Sequence, residues 1–395
     1  MTRSFAVALA AILSTLAIST AAPLATAAPV DRFTPVAAEV LATPEPVLAS
    51  DRRQHLEYEL ILTNHSFPPA KVTVKRVQAL AGGKVVGSLA GERLKAVMKP
   101  FDSEKPGVVL KPGVTASVLV DLSFPRGAKL PTRLVHRIAI AQQPPSAVIA
   151  TTYTAAPTRV STRRALVVAP PLRGPGWVVG NGCCSEPTSH RGGIIAINGG
   201  LHTGERFAID FFQISPAGTA AVGPRDQLAN YPFFGDEVHS ATAGRVVGVL
   251  DRLPDGPIDF ELPPITAADA GGNHVVVAIG NHRFAYYAHL QPGSVRVEVG
   301  DRVSVGETLG LLGNSGNSNA PHLHFQLMDG PIPLGSNGVP FRFDSFQSEG
   351  TLTNFAQLLV LGAKAKLDPR PNGLHRRELP LNNEVVAFET PTLAR

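Results

Sequence analysis

The chain has 395 residues and a formal net charge of +5, with only 17% charged residues against 37 glycines and 35 prolines. So mild a charge excludes the strongly basic character that nucleic-acid binding calls for, and it suits ordinary solubility or contact with an anionic wall polymer. The length exceeds what one compact domain usually holds and predicts two, and the Gly- and Pro-rich, charge-poor composition predicts a β-rich fold with many turns.

In chain order, residues 1–27 read as a secretory signal peptide. Arg3 gives a short basic start, Phe5 to Ile18 an apolar stretch, and Ala25-Thr26-Ala27 a small-residue cleavage site. The apolar run falls short of the roughly 20 residues a spanning helix needs, and Ser14, Thr15, Ser19, Thr20 and Pro23 interrupt it. No later segment looks transmembrane, and no cysteine follows the cleavage site to carry a lipid. The mature chain is expected to be exported, to a periplasm or the extracellular space, with no transmembrane segment after cleavage.

Residues 30–165 show short alternating runs, among them Leu56-Glu57-Tyr58-Glu59-Leu60, Val72-Thr73-Val74 and Val118 to Phe124, separated by Pro68-Pro69, Gly82-Gly83 and Lys111-Pro112-Gly113. This spacing predicts an antiparallel, immunoglobulin-like β-sandwich serving as an accessory domain. Its histidines (His55, His65, His136) are scattered and read as surface or core residues. The passage Ala169 to Gly176 marks a boundary, and residues 166–350 predict a second, almost all-β domain. There Val275 to Ile279, Phe284 to Tyr287 and Val295 to Val299 look like strands with no long amphipathic helix between them. Residues 351–395 read as a C-terminal appendage. The only cysteines, Cys183-Cys184, are adjacent, which leaves two buried thiols or a local vicinal bridge as readings and excludes a CxxC-type zinc cluster.

Eight of the twelve histidines fall between 190 and 324. Ser189 to Phe212 reads as a hairpin turning at Asn198-Gly199-Gly200, and a three-residue loop (199–201) sets His190 directly opposite Asp210 on one face. On a continuous strand His202 would lie roughly 26 Å from Asp210, too far for a shared metal. Were 202–206 a loop, His202 would compete with His190. Tyr286-Tyr287-Ala288-His289-Leu290 ends a strand at a turn. Gly313 to Ala320 then forms a Gly/Asn/Ser loop before His322-Leu323-His324, whose two imidazoles share one face of a β-strand.

Taken together, Tyr-Ala-His-Leu at 287–290, Val299-Gly300-Asp301-Arg302-Val303 with Gly306, and Gly313-Asn314-Ser315-Gly316 leading to Pro321-His322-Leu323-His324-Phe325 resemble the lysostaphin-type (LytM-like) zinc metallopeptidases. The resemblance covers roughly 230–330, and Gly235 to Val247 agrees with it. It implies an antiparallel β-sheet peptidase domain, a Zn2+ cofactor, and hydrolysis of peptide bonds in peptidoglycan stem peptides or cross-bridges. It also implies that Asp210 and His324 bind the metal and that His289 and His322 serve catalysis. One position departs: the histidine expected four residues before the aspartate is Arg206. The hairpin reading supplies His190 as the remaining ligand. Two imidazoles and one carboxylate leave a fourth position open for water, as in catalytic zinc sites. Two further readings stand beside this one. An inactive family member that binds wall or regulates amidases predicts lost ligands, and a carrier domain lacks a lysine at a hairpin tip and leaves the histidines unexplained.

Overall fold

The computed structural model describes residues 31–258 and 265–389; the segment read as a signal peptide and the last six residues lie outside them. Two antiparallel five-stranded sheets come first. One runs Val36–Val40, Arg53–Asn64, Thr115–Pro125, Met98–Pro100, with Glu45–Leu48 also on Arg53–Asn64. The other runs Thr152–Arg159, Arg133–Gln143, Lys71–Ala81, Lys84–Ala90, with Val109–Leu110 on Lys71–Ala81. Strand alternation explains the core between them: Leu56, Tyr58, Leu60 and Leu62 from the first sheet meet Val72, Val74, Val77, Ile138 and Ile140 from the second.

The opposite face of the Arg53–Asn64 strand would ordinarily be wet. Here Glu57 and Glu59 are both 0% exposed, because the second half of the chain covers them. Arg191 Nε donates to Glu57 Oε1 at 2.5 Å. Arg206 Nη2 lies 2.7 Å from Glu59 Oε2 in an ion pair too poorly aligned to hydrogen-bond either Glu59 oxygen. Burial pushes the Glu57 carboxyl up to about 8, with Arg191 pulling the other way.

The second half is built on one thirteen-stranded sheet. Along its path stand Leu166–Val168, Phe341–Leu352, Glu384–Phe388, Gly174–Gly180, Ile209–Gln213, Leu323–Met328, Arg283–Leu290, Asn273–Gly280, Gly244–Leu250 and Arg302–Val303. Nearly all of it is antiparallel, and the described chain is almost wholly β, as composition predicts. An aromatic core including Trp177, Phe207, Phe211, Phe325, Phe343 and Phe388 lies beneath it, with Phe211 edge-on to Phe388 at 5.7 Å and Phe325 edge-on to Phe341 at 5.1 Å. Among the described residues no helix is long and apolar enough to cross a membrane.

Two expectations need correcting. Residues 384–388, read within an appendage, form a strand paired on both sides, with Gly174–Gly180 and with Phe341–Leu352. Val385, Val386 and Phe388 are buried, a core contribution too short to stand out in a polar stretch. The hairpin register also differs: Ile195 pairs with His202 and Ile197 with Gly200, so the loop has two residues, not three. Asn198 (φ 51) and Gly199 (φ 83) both take positive φ, the pattern of the tight turn that Asn-Gly favours, and Gly200 is drawn into the strand. His190 is therefore not on a strand facing Asp210. It sits on a single helical turn, Ser189–Gly192.

Candidate metal centre

Asp210 lies on Ile209–Gln213, between Gly180 on one side and His324 on the other. A Cβ at Gly180 would come within 2.8 Å of the Asp210 carbonyl oxygen, so only glycine lets these strands close at the site. One strand further on, Ala288 stands opposite His324, which brings the neighbouring His289 to the same end of the sheet. His289 itself has a left-handed backbone, φ 62. It breaks the strand alternation and turns the chain toward Gln291.

Ligand atoms of His190, Asp210 and His324 all lie within 4.8 Å of one another. His190 Nε2 is 3.1 Å from Asp210 Oδ2, and His324 Nδ1 is 3.0 Å from Asp210 Oδ1. The outer nitrogens are held as metal-binding histidines usually are. His190 Nδ1 donates to the Ala208 carbonyl at 3.2 Å, and His324 Nε2 donates to Gln326 Oε1 at 2.9 Å. Asn181 Nδ2 donates to Asp210 Oδ2 at 2.8 Å. Two imidazoles with their inner nitrogens converging on one carboxylate are a donor set that fits a zinc ion, and no other metal-ligand type is needed.

His289 and His322 flank this group, with ring centres 4.6 Å apart. The Gly/Asn/Ser loop fixes both. His289 Nδ1 donates to the Ser315 carbonyl at 2.8 Å, and His322 Nδ1 donates to the Ala320 carbonyl at 2.8 Å. A carbonyl oxygen can only accept, so each Nδ1 carries the proton and each Nε2 is left for chemistry. His322 Nε2 stands 3.4 Å from Asp210 Oδ1. The loop is tied down in turn: Ser315 Oγ donates to the Leu290 carbonyl, Asn314 N donates to Asp255 Oδ1, and Ser318 Oγ donates to Asn314 Oδ1.

Charge follows geometry. Burial would raise Asp210, but His190 and His322 hold it well below the usual carboxylate range. Burial works against His190, yet Asp210 raises it to about 9. His322 is likewise raised by Asp210 against its burial. Burial, aided by His322 and His324, drives His289 well below the usual imidazole value.

The five residues singled out in the sequence, His190, Asp210, His289, His322 and His324, thus come together, although His190 arrives from a helical turn. Residues 203–208 are outside any strand, so no continuous strand runs from His202 to Asp210, although His202 itself ends the strand Gly200–His202. Even so, His202 is not in the group, and its Nδ1 is buried without a hydrogen-bond partner. Gln326 was missed, although the alternation 322, 324, 326 points to it; Asn181 and the Ser315 and Ala320 carbonyls left no readable signal.

The group opens into a cleft of about 390 Å³ that includes Glu205, Tyr286 and Leu334. A second hollow of about 300 Å³ shares Asp210 and His322 and is walled by Phe212, Phe355 and Leu359, the last two on the helix Phe355–Leu361. The two hollows, one of mixed lining and one largely apolar, adjoin at Asp210 and His322 as a groove beside the metal-ligand group.

Residues 231–337 match Peptidase family M23. His289, His322 and His324 fall inside the match, while His190 and Asp210 lie before it. The chain is 42% identical over 57 residues to the peptidoglycan DD-endopeptidase ShyA of Vibrio cholerae, covering 14% of this chain and 13% of that protein. It is 48% identical over 75 residues to the glycyl-glycine endopeptidase ALE-1 of Staphylococcus capitis, covering 18% of this chain and 20% of the relative. It therefore spans a fifth or less of either relative's length. The catalytic domain of lysostaphin from Staphylococcus simulans shares 25% identity over 39% of this chain and 77% of its own, at a TM-score of 0.21. So low a score carries no argument, and the fold stands on the strand order given above.

Proposed function

We propose that this chain, with its M23 peptidase domain, is an exported zinc endopeptidase that hydrolyses peptide bonds in peptidoglycan stem peptides or cross-bridges. The observation that carries the reading is the convergence of His190, Asp210 and His324 beside two imidazoles whose Nδ1 atoms are fixed on backbone carbonyls, so that Nε2 faces the site. Residues 30–165 are read as an accessory β-sandwich of immunoglobulin type, and the M23 match and its endopeptidase relatives support the substrate class.

His190 Nε2, Asp210 and His324 Nδ1 would hold a zinc ion, which when bound supplies a Lewis acid that polarises the scissile carbonyl and makes water acidic near neutrality. The rest is done by the chain's own groups. An extended peptide lies along the groove with its scissile carbonyl at the metal-ligand group. One of the two flanking imidazoles, His289 or His322, takes a proton from water at Nε2 as the water oxygen bonds to the carbonyl carbon. The other, protonated at Nε2, donates a hydrogen bond to the oxygen on which negative charge develops. The C–N bond then breaks, and the proton taken from water goes to the departing amine. Gln326 and the Ala208 carbonyl keep the ligand rings oriented throughout.

The test is incubation of the purified chain with cell-wall sacculi, with and without a chelator, followed by mass spectrometry of the released fragments. New amine and carboxyl termini within the peptides, lost on chelation and restored by zinc, are expected. Equal release by metal-free protein would sink the reading.

A further inference from the structure

Glu57 stands outside the groove, on the first half of the chain, yet its two oxygens reach both ends of the loop that carries His190. Oε1 accepts from Arg191 Nε, and Oε2 lies 2.8 Å from Cys183 Sγ, where Cys183 and Cys184 form a vicinal disulfide. The loop begins at Asn181, bonded to Asp210, and ends at the Ser189–Gly192 turn. That turn has few contacts of its own beyond those His190 makes with Ala208 and Asp210. A single helical turn is unstable alone, and Ser-His-Arg-Gly contains no apolar side chain to bury. Within it Thr188 Oγ1 accepts from Arg191 N and donates to the Asn181 carbonyl, contacts that shape the loop without tying it to the sheet. Besides the contacts of His190 itself with Ala208 and Asp210 and those of the loop with Asn382, Arg191, 2% exposed and next in sequence to His190, anchors the turn to the N-terminal half.

We infer that Glu57 is a positioning residue for the metal centre: by holding Arg191 and abutting Cys183, it fixes the 181–191 loop so that His190 Nε2 faces Asp210. This rests on the proposed metal site and extends it. It also bears on Arg206, which stands where the resemblance predicts a ligand. Arg206 pairs with Glu59, the next carboxylate on the same face of the same strand, two residues along. The position that lacks a histidine and the position that supplies one are thus both attached to one strand of the N-terminal half.

The test is zinc affinity of the full exported chain, read by competition with a chromophoric chelator, with thermal midpoints recorded in parallel. Glu57→Leu is expected to weaken zinc binding about 10- to 100-fold, the usual effect of losing an outer contact to a ligand. Glu59→Leu removes an equally buried carboxylate and is expected to leave zinc binding within about twofold while lowering the midpoint. Replacing both members of the pair, Glu57→Leu with Arg191→Met, is expected to recover the midpoint, because paired apolar replacements often cost little, without recovering zinc affinity. The inference is overturned if Glu57→Leu binds zinc like the wild type, if Glu59→Leu loses as much, or if the double variant regains both properties. A wild-type chain that takes up no zinc fails before any variant is made, and overturns the proposed metal site together with this inference.

Discussion

Two buried histidine–aspartate clusters among the described residues differ in what occupies the second ring nitrogen. In the N-terminal sheets His55 places Nδ1 3.0 Å from Asp121 and Nε2 3.1 Å from Asp51. Both nitrogens donate to carboxylates, which calls for the imidazolium, and nothing is left over for a ligand. In the groove His190, His289 and His322 each give Nδ1 to a neutral backbone carbonyl and turn Nε2 toward Asp210 or the cleft. The same residue types thus make a cluster closed by two carboxylates in one place and, in the other, a set of imidazoles gathered on a single carboxylate, and the difference comes from the neighbour at Nδ1.

The comparison breaks most plainly at the shared carboxylate. Asp210→Ala or His324→Ala should lose stoichiometric zinc, measured by metal analysis, and at least about a thousandfold in release of peptides from sacculi, since both metal and orientation go. Retained zinc in either variant would show that the open cluster is not a metal site. His289→Ala and His322→Ala should separate binding from chemistry. Zinc content stays, while turnover falls about 10²- to 10⁴-fold, the usual range for a general acid or base.

His55→Gln should do the reverse, leaving turnover at neutral pH unchanged and altering stability. Burial pulls the His55 pKa down, but Asp121 and Asp51 raise it to about 9 against 6.5 for the free group. A raised folded-state pKa stabilises the protonated fold below about pH 6.5 and loses that contribution as pH rises through about 9, a span of about 3 kcal/mol. Denaturant unfolding of the wild type should therefore show stability falling between those values, and His55→Gln should flatten the profile. The smallest effect is expected at His202→Ala, with zinc content and turnover within about twofold. A large loss there would reopen the choice of ligand.

The open cluster was legible where it depends on local spacing. His322 and His324 share a strand face because alternation requires it, and Tyr-Ala-His-Leu with the Gly/Asn/Ser loop names His289. His190 was selected for the wrong reason. A three-residue hairpin loop was expected to set it opposite Asp210, whereas the Asn198-Gly199 turn closes in two, and the contact is made from a helical turn. A register argument carries over only as far as the ladder that defines it, and this ladder ends at Ile195 and His202. What spacing could not supply were contacts between distant segments. Glu57 with Arg191, Asn181 with Asp210, and the 384–388 strand inside the sheet all depend on tertiary placement that no local pattern encodes. The buried face of Leu56 to Leu60 looked like an ordinary solvated alternation, because a glutamate facing water and a glutamate facing a buried arginine are written identically.

The strand Glu384–Phe388 fills the gap between Gly174–Gly180 and Phe341–Leu352, and Gly174–Gly180 is the direct neighbour of the strand bearing Asp210. During synthesis the half that carries the metal-ligand group therefore has an unfilled slot until more than two hundred residues after Gly180 have been made. Pairing across so long an interval is slow to form, so the sheet flanking the Asp210 strand closes late in folding. On the proposed reading of the chain as a wall endopeptidase, that ordering delays activity until residues 384–388 have joined the sheet.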